Sequence, residues 1–245
     1  MELSNRLKAI CDLCDRGNTV ADIGCDHGYV SITLVNKGIF DKALAMDINE
    51  GPLRLASQNI QLYGDSSRIE TRLSSGLDKL ECGEADAIII AGMGGILVRD
   101  ILAAGYSKLL TVKQLILGAQ SDLNLVRRYL RDIGFRISDE DMIYEDGKYY
   151  QLIKAVPDME HIGVSDDLAD STDVEVKDRF GPVLLKEKNE ILGKFLLHSK
   201  NVTSGLIEKL EDKILNRSDD RIAGRIEELR YDLKIIDRAL ELFEL

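Results

Sequence analysis

A seven-residue segment with the sequence DIGCDHG, Asp22–Gly28, brings two carboxylates, a thiol, a histidine and two glycines together. The apolar run before it predicts a strand and the pattern after it predicts a helix, so the segment is a strand-turn-helix junction. Gly24 permits a tight turn with close approach of the backbone, and Gly28 lets a ligand lie against the start of the helix. The alternative is a plain structural turn in which these glycines bind nothing.

The position of Asp26 indicates the charge of such a ligand. A dinucleotide-binding fingerprint has its middle glycine where Asp26 stands, and an acid at that place repels a pyrophosphate. The same acid favours a ligand with cationic sulfonium and ammonium groups, such as S-adenosylmethionine. We predict that Asp26→Ala abolishes cofactor binding, as measured by calorimetry, and leaves the fold intact. His27 either contacts the reacting groups or caps the following helix.

A second candidate carboxylate, Asp47, ends the next apolar run and is followed by Ile48. Rossmann-like folds present an acid at this place to the ribose hydroxyls of a nucleotide, and a 2′-phosphate would disrupt that contact. Asp47 therefore favours S-adenosylmethionine or NAD over NADP. The alternative is an ordinary exposed aspartate at a strand end.

A third segment, AGMGG at Ala91–Gly95, follows another apolar run. Its glycines Gly92, Gly94 and Gly95 give a loop of nearly bare backbone, which a flat base can approach closely. A flexible hinge or a tight start of the next helix is the alternative.

Elements that can position these three segments alternate along the first 157 residues, which predicts an α/β domain with a mainly parallel sheet. The Asp-Gly pair at Asp146 predicts a tight hairpin between the last two strands. The predicted strands are Thr19–Ile23, Ala43–Asp47, Ile69–Arg72, Ala87–Ala91, Gln114–Leu117, Phe135–Tyr144 and Tyr149–Ala155. The predicted helices are Leu3–Cys14, Val30–Lys37, Pro52–Tyr63, Ile96–Ala103 and Asp122–Ile133. Seven strands with the last one antiparallel are typical of the Rossmann-like sheet of class I methyltransferases.

The remainder of the chain differs in character. Residues 158–178 carry eight acidic side chains and one basic side chain, which predicts a linker or solvated loop. Two apolar seams follow. The first comprises Leu192, Phe195, Val202, Leu206, Leu210 and Ile214, and the second runs from Ile222 to Phe243 at heptad spacing. The expected organisation is a domain at 1–157, an acidic linker at 158–180 and a C-terminal α-helical coiled-coil hairpin at 181–245. A dimerising coiled coil is the alternative, so a homo-oligomer stays open.

Composition limits the class of protein further. The 245 residues are 44% hydrophobic and carry a formal charge of −11, with no apolar run of about 18 residues. The N-terminal residues lack the pattern of a signal peptide, and four cysteines suit a reducing compartment, so we expect a cytoplasmic protein without a membrane span. Cys11 and Cys14 lie on an apolar helix face, which favours core packing over a metal site, and we expect no metal. The acidic balance argues against binding nucleic acid or membranes by charge alone.

The three segments, taken in order, closely resemble the bacterial tRNA adenine-22 N1-methyltransferase family, often called TrmK. Further segments carry the resemblance over nearly the whole chain. They are Leu3–Leu7, Gly51–Leu53, Ser75–Leu77, Glu145–Lys148 and Phe180–Pro182. The resemblance implies a Rossmann-like domain that binds S-adenosylmethionine, a helical C-terminal domain, and methyl transfer to N1 of an adenine in the D-arm region of tRNA.

The resemblance also implies roles for single residues. Expected cofactor-binding residues are Asp22, Gly24, Cys25, Asp26, Gly28, Asp47, Ile48, Ser75, Gly76, Ala91, Gly92 and Gly94, and expected catalytic residues are Asp26, His27 and Met93. Two departures from the family pattern occur: Ser75 stands where the family has Asp, and Leu117–Gln120 replaces a Leu-Gln-Pro-Asn type run. The first departure implies a weaker contact to the cofactor's adenine, and the second leaves open whether the loop at Leu117–Gln120 contacts the ligand.

A basic cluster supplies candidate contacts to tRNA phosphates. It comprises Arg127, Arg128 and Arg131, beside Arg136, and a solvated helix face is the alternative. Residues 1–157 carry 18 basic and 22 acidic side chains, and the charges after residue 178 balance, so the excess of acid is local to the linker. We therefore expect tRNA binding through shape and a few basic residues, with modest salt dependence. A methyltransferase for a small molecule or protein, or a non-catalytic cofactor-binding adaptor, are the alternative functions.

Overall fold

Seven strands form one mixed sheet in the order β3-β2-β1-β4-β5-β7-β6. The computed structural model describes residues 3–158, 171–216 and 220–244. The strands are β1 Gly17–Ile23, β2 Phe40–Asp47, β3 Ile69–Leu73, β4 Ala87–Ala91, β5 Gln114–Gly118, β6 Phe135–Glu145 and β7 Lys148–Pro157. Strands β1 to β5 are parallel, whereas β7 is antiparallel to both β5 and β6. The predicted seven-stranded Rossmann-like sheet is confirmed.

Helices cover both faces of this sheet, which explains the continuous apolar runs of its central strands. Ile88 and Ile90 of β4 pack into one core cluster, whereas Ile89 packs into the cluster on the other face. The helices of this part are α1 Asn5–Asp12, α2 Tyr29–Asn36, α3 Glu50–Tyr63, α4 Gly95–Ala104, α5 Tyr106–Leu109 and α6 Leu123–Asp132. All five predicted helices are present, and the one-turn helix α5 was not predicted because four residues give no readable period.

The hairpin between β6 and β7 turns at Asp146 and Gly147, whose φ angles are 51° and 76°. Two successive positive φ angles are the signature of the tight turn that Asp-Gly predicts. Because β6 runs parallel to β5, the tip of this hairpin lies at the edge where the parallel strands have their carboxyl ends.

The chain divides into two compact units, Met1–Ser165 and Asp166–Leu245. The described helices of the second unit are α7 Ser171–Phe180, α8 Pro182–Lys186, α9 Glu190–Asn216 and α10 Asp220–Glu244. Helices α9 and α10 are antiparallel, because Lys200 pairs with Asp237 and Glu211 pairs with Arg230. The predicted helical hairpin therefore exists, while its supercoiling stays a prediction. Residues 217–219, between the two helices, lie outside the described residues.

One expectation for the linker is wrong. Residues 171–178 were expected in a linker or solvated loop, but residues 171–180 form α7, in which Val176 and Phe180 are one helical turn apart and both are buried. The acidic residues of α7 are paired rather than solvated: Asp173 accepts a hydrogen bond from Arg238 at 2.7 Å, and Glu175 lies 2.6 Å from Arg179. Residues 159–170 of the predicted linker lie outside the described residues.

The seam predicted on α9 is also partly wrong. Val202 and Leu206 are exposed, while Leu196 and Ile207 are buried. The half-buried Ser199 and Thr203 lie between these two residues on the buried face of α9. Because both are polar, the spacing of apolar residues alone predicted the wrong buried face. Among the residues that the structure describes, no helix is long and apolar enough to cross a membrane.

Candidate active site

The candidate site lies at the carboxyl ends of β1 and β4, where the strand order changes direction. Strand β1 leads to β2 on one side, and β4 lies on its other side and leads to β5. Loops after these strands diverge and leave a crevice, which is where open α/β sheets bind ligands. The segments that follow β1, β2 and β4 are the three that sequence analysis singled out.

The turn between β1 and α2 holds its shape through backbone geometry. Gly24, Asp26 and Gly28 all have positive φ angles, of 72°, 50° and 73°. The positive φ angle of Gly24 favours glycine there, and the Cε atom of Met93 would lie 2.3 Å from a Cβ atom at this position. The N–H groups of Gly24 and Cys25 both donate to the carbonyl oxygen of Met46, at 2.8 and 3.0 Å. A non-glycine residue in the left-handed region is strained, and here that residue is Asp26.

Asp22 is a buried carboxylate at the base of this turn, with 5% of its surface exposed. The hydroxyl of Ser31 donates to its Oδ2 atom at 2.8 Å. The pKa of Asp22 is raised to about 6, mainly by burial and to a smaller extent by the charge of Asp47, while hydrogen bonds from Ser31 partly offset the rise. Among the described residues no Lys, Arg or His forms an ion pair with Asp22, so its charge is compatible with a cationic ligand.

Asp47 ends β2 and is almost buried, at 8% exposure. Its Oδ1 atom accepts a hydrogen bond from the N–H of Asn49 at 2.9 Å, which fixes the carboxylate at the edge of the cleft. Ile48 follows with its side chain 63% exposed, although it is apolar. An exposed apolar residue beside a fixed carboxylate suits a ligand that has both a flat apolar part and hydroxyl groups.

The loop between β4 and α4 is joined to the loop after β5. The N–H of Gly92 donates to the carbonyl of Gly118 at 3.0 Å, and the N–H of Gln120 donates to the carbonyl of Met93 at 2.8 Å. A Cβ atom at Gly95 would lie 2.4 Å from the carbonyl oxygen of Ser121. The glycines of this loop thus allow two backbone segments to lie side by side.

These segments enclose a cleft of about 390 Å³, which is within the range of small-molecule sites. The lining residues are Ile23, Gly24, Asp26, Asp47, Ile48, Asn49, Ser74, Ser75, Gly76, Ala91, Gly92, Met93, Leu97 and Ile101.

A smaller pocket of about 70 Å³ shares three of these lining residues, Gly24, Asp26 and Ala91. Its other lining residues are Leu7, Asp22, Cys25, His27, Tyr29, Val30 and Ile89. The rings of His27 and Tyr29 stack with their centroids 5.6 Å apart. The amide of Asn59 donates to the carbonyl of His27 at 2.9 Å and ties the turn to α3. The two pockets therefore offer one large compartment and one small compartment that meet at Asp26.

Comparisons with known proteins agree with this geometry. Residues 3–153 match the family model described as a methyltransferase domain. The chain is 33% identical over 210 residues to the tRNA (adenine(22)-N(1))-methyltransferase of Bacillus subtilis, which covers 86% of each protein. The chain belongs to this methyltransferase family.

Solved structures of similar proteins extend the match to the second unit. The TrmK protein of Mycoplasma capricolum, solved with its cofactor product S-adenosyl-homocysteine, is 28% identical, with a TM-score of 0.72 and coverage of 96% of this chain and 100% of that one. Sp1610 of Streptococcus pneumoniae, solved with S-adenosyl-L-methionine, is 30% identical, with a TM-score of 0.77 and coverage of 98% and 100%.

The residues predicted to bind the cofactor of this methyltransferase come together at the two pockets. Ten of the twelve line one or both pockets: Asp22, Gly24, Cys25, Asp26, Asp47, Ile48, Ser75, Gly76, Ala91 and Gly92. The other two have structural contacts. A Cβ atom at Gly28 would lie 3.2 Å from Ala56, and the carbonyl of Gly94 accepts the N–H of Val98 in the first turn of α4. The predicted catalytic residues His27 and Met93 also line the pockets, and the roles of all these residues stay predictions.

The residues of the cleft fit S-adenosyl-L-methionine. The buried carboxylate Asp22 matches a cationic group, and Asp47 matches ribose hydroxyls. Gly92, which has a positive φ angle, leaves space that a side chain would occupy, because the nearest atom to a Cβ there would be Nε2 of Gln120 at 4.0 Å. Ser75 offers only a short hydroxyl, and the exposed apolar side chains of Ile48 and Leu97 are larger surfaces for an adenine ring.

Sequence reasoning missed nine lining residues, namely Leu7, Ile23, Tyr29, Val30, Asn49, Ser74, Ile89, Leu97 and Ile101. A signal existed for two of them. Leu97 and Ile101 lie one turn apart on α4, off the stripe formed by the buried residues Val98 and Leu102. An apolar pair off the core stripe at a helix start indicates a ligand surface.

The prediction that Arg127 contacts phosphate is wrong. Arg127 is 1% exposed, and its Nε atom donates to Glu140 at 2.8 Å. Its Nη2 atom donates to Gln151 at 2.7 Å, so the guanidinium belongs to the core between α6 and the β6–β7 hairpin. Arg128 and Arg131 are exposed, and their predicted contact with tRNA stays a prediction.

Proposed function

We propose that this chain transfers the methyl group of S-adenosyl-L-methionine to N1 of adenine 22 in tRNA. The observation that carries the proposal is a glycine-lined cleft that meets, at Asp26, a small pocket lined by the buried carboxylate Asp22. The chain that holds this site aligns over 86% of its length with the B. subtilis enzyme of this activity. The two TrmK-like structures that hold the cofactor or its product cover both units of the chain. This similarity favours tRNA over a small-molecule or protein substrate.

The residues of the cleft bind and orient the cofactor, which supplies a methyl group on a positively charged sulfur. Asp22 neutralises a cationic group, and its burial strengthens that attraction because few water molecules compete. Asp47 accepts hydrogen bonds from the ribose hydroxyls, and the backbone of Gly24 lets the ligand lie close to the turn. Asp26 lines both pockets with 72% of its side chain exposed, and the calorimetric test of Asp26→Ala measures how far cofactor binding depends on it.

Methyl transfer to N1 of adenine needs no strong base. N1 has a lone pair in the plane of the ring and no proton to lose before it attacks the methyl carbon. The protein must instead hold an unpaired adenine in line with the methyl group and offset the positive charge that moves onto the purine. Base pairing hides N1, so the adenine must be unpaired or flipped out of its helix.

Residues between the two pockets can meet these needs. Asp26 places a carboxylate where the pockets join, and positive charge on the methylated adenine is stabilised by it. The stacked rings of His27 and Tyr29 provide a flat surface for the base. Met93 lies against Gly24 at the border of the cleft and positions the base edge through packing and backbone groups.

The exposure of Arg128 and Arg131 on α6 supports a role in holding the tRNA backbone. Both side chains are exposed on this helix, which follows β5, and Arg131 lies in its last turn. The four cysteines are free, as in proteins of a reducing compartment, and a cytoplasmic site of action is part of this proposal.

The proposal is tested by incubating the full chain with methyl-labelled S-adenosyl-L-methionine and a tRNA transcript that has adenine at position 22. Digestion to nucleosides should recover the label as N1-methyladenosine. The matched control is the same transcript with guanine at position 22, which should stay unlabelled. Label in another nucleoside, or equal label in both transcripts, would contradict the proposal.

A further inference from the structure

The tip of the β6–β7 hairpin carries two tyrosines that the cofactor cleft does not use. Tyr144 and Tyr149 face each other across the hairpin, with ring centroids 4.6 Å apart. Tyr144 is 55% exposed, so most of its ring is open to solvent. Such an exposed ring on a strand end contributes little to the core and needs another explanation.

The strand register places this pair beyond the carboxyl ends of the parallel strands, at the same edge of the sheet as the cleft and on its last two strands, β7 and β6. Ile23 of β1 is level with Ile90 of β4, and the register continues through β5 and β7 to Glu140 of β6. Strand β6 then extends five residues beyond Glu140, to Glu145. At roughly 3.4 Å per residue, the tip projects about 17 Å past the carboxyl ends of the central strands.

The tip is held firmly in this position. The N–H of Asn5 donates to Glu145 at 2.7 Å, and the guanidinium of Arg6 lies 5.0 Å from the centre of the Tyr150 ring. Both contacts join the hairpin to α1, and Leu7 of the same helix lines the small pocket of the site. The tyrosine pair is therefore joined to the site by one helix and one hairpin, and a ligand that docks on it loses little free energy in ordering the protein.

We propose that Tyr144 and Tyr149 form a stacking platform for an unpaired base of the tRNA that lies near the target adenine. The inference rests on the proposed function. Aromatic side chains recognise single-stranded RNA by stacking on its bases, and this contact tolerates different sequences. A height of about 17 Å corresponds to about five stacked base steps, so the platform contacts nucleotides close to the target rather than a distant arm.

The first experiment uses the absence of tryptophan from the chain. Tyr144→Trp introduces a single indole on the platform, and its fluorescence should fall when tRNA is added because a stacked indole is quenched. The matched control is Leu62→Trp, which puts an indole at a 71% exposed position near the end of α3, at the opposite edge of the sheet. Quenching at position 144 and none at 62 supports the platform, whereas equal signals at the two positions overturn it.

The second experiment separates RNA binding from cofactor binding. Tyr144→Ala should raise the Kd and KM for tRNA by about 5-fold to 100-fold, the range of one lost base stack, with kcat and the Kd for S-adenosyl-L-methionine unchanged. Tyr144→Phe keeps the ring and should match the wild type. Tyr63→Ala removes a tyrosine of similar exposure, 51%, and should also match it.

The outcomes distinguish the platform from the proposed function. If the wild type methylates no tRNA, the proposed function fails, and the fluorescence test still reports on RNA binding at the tip. If the wild type is active and Tyr144→Ala has an unchanged KM for tRNA, the platform is refuted. A loss of cofactor affinity in Tyr144→Ala would also refute it, because the tip would then support the cleft instead.

Discussion

Two regions of the first unit bury a carboxylate, and they neutralise it in different ways. Glu140, behind α6, accepts a hydrogen bond from Arg127 at 2.8 Å, and neither side chain is more than 1% exposed. Asp22, in the small pocket of the site, accepts a hydrogen bond from the neutral hydroxyl of Ser31. Burial raises the pKa of Asp22 to about 6, a sign that the folded chain does not supply the charge that this carboxylate needs.

The difference shows how structural and functional charges can be told apart. A buried charge that is paired with an opposite charge of the same chain forms a structural contact that is costly to break, and it leaves no charge for a ligand to neutralise. A buried acid beside a cleft, without such a partner, costs stability that a cationic ligand restores on binding. Asp22 is therefore the one of the two that we propose to be functional, although both are almost equally hidden from solvent.

The largest effect is expected from breaking the structural pair. Arg127→Ala leaves Glu140 charged and buried, which should lower the free energy of unfolding by about 3 to 5 kcal/mol in urea titrations. The neighbouring exposed residue provides the control: Arg128→Ala should change the free energy of unfolding by about 0.5 kcal/mol or less. Equal effects of the two variants would show that the Arg127 pair is not special.

Removing the functional carboxylate should have the opposite effect on stability. Asp22→Asn keeps an acceptor for Ser31 and removes the buried charge, so the protein without cofactor should gain about 1 to 3 kcal/mol at pH 7 in the same titrations. Cofactor affinity should fall by about 10-fold to 100-fold, as expected for a lost charged hydrogen bond. Calorimetry with S-adenosyl-L-methionine measures the second effect, and a variant that is less stable yet binds normally would reverse the assignment.

The sequence predicted the sheet and the three loops because their signals are local. Apolar periods and glycine positions within about ten residues define a strand, its turn and the next helix. Whether a single charged side chain is buried depends instead on contacts with residues that are distant in the sequence. Asp22 and Asp26 look alike in the same segment, but only the packing of Ser31 and of β2 shows which one is buried.

The arginine cluster shows the same limit. Arg127 lies on the apolar stripe of α6 with Val126 and Leu130, which was a readable hint of burial. Its partner Glu140 lies in β6, 13 residues further along, and no local pattern joins them. In α7, likewise, the pairing of Asp173 with Arg238 depends on a helix 65 residues away.

The pH dependence of cofactor binding sharpens the assignment of Asp22. Its pKa is raised from the ordinary 3.8 to about 6, so its contribution to folding is favourable below pH 3.8 and is lost as the pH rises through 6. A cationic ligand needs the charged form, so the Kd for S-adenosyl-L-methionine should rise by up to about tenfold per pH unit below 6 and stay constant above 7. Asp22→Asn should remove this dependence, and a wild-type Kd that is flat from pH 5 to 8 would contradict the role of Asp22.

The smallest effect is expected from the exposed arginines of α6, which complete the contrast with Arg127. Arg131→Ala should weaken tRNA binding only a few-fold and should lower the slope of log Kd against log salt concentration by about 1, because one phosphate contact is lost. Stability should hardly change, since the side chain is exposed. Filter binding between 50 and 200 mM salt measures the slope. An unchanged slope in Arg131→Ala would show that this residue does not contact a tRNA phosphate. A wild-type slope that corresponds to about ten phosphate contacts would contradict the modest salt dependence that we expect of this acidic chain.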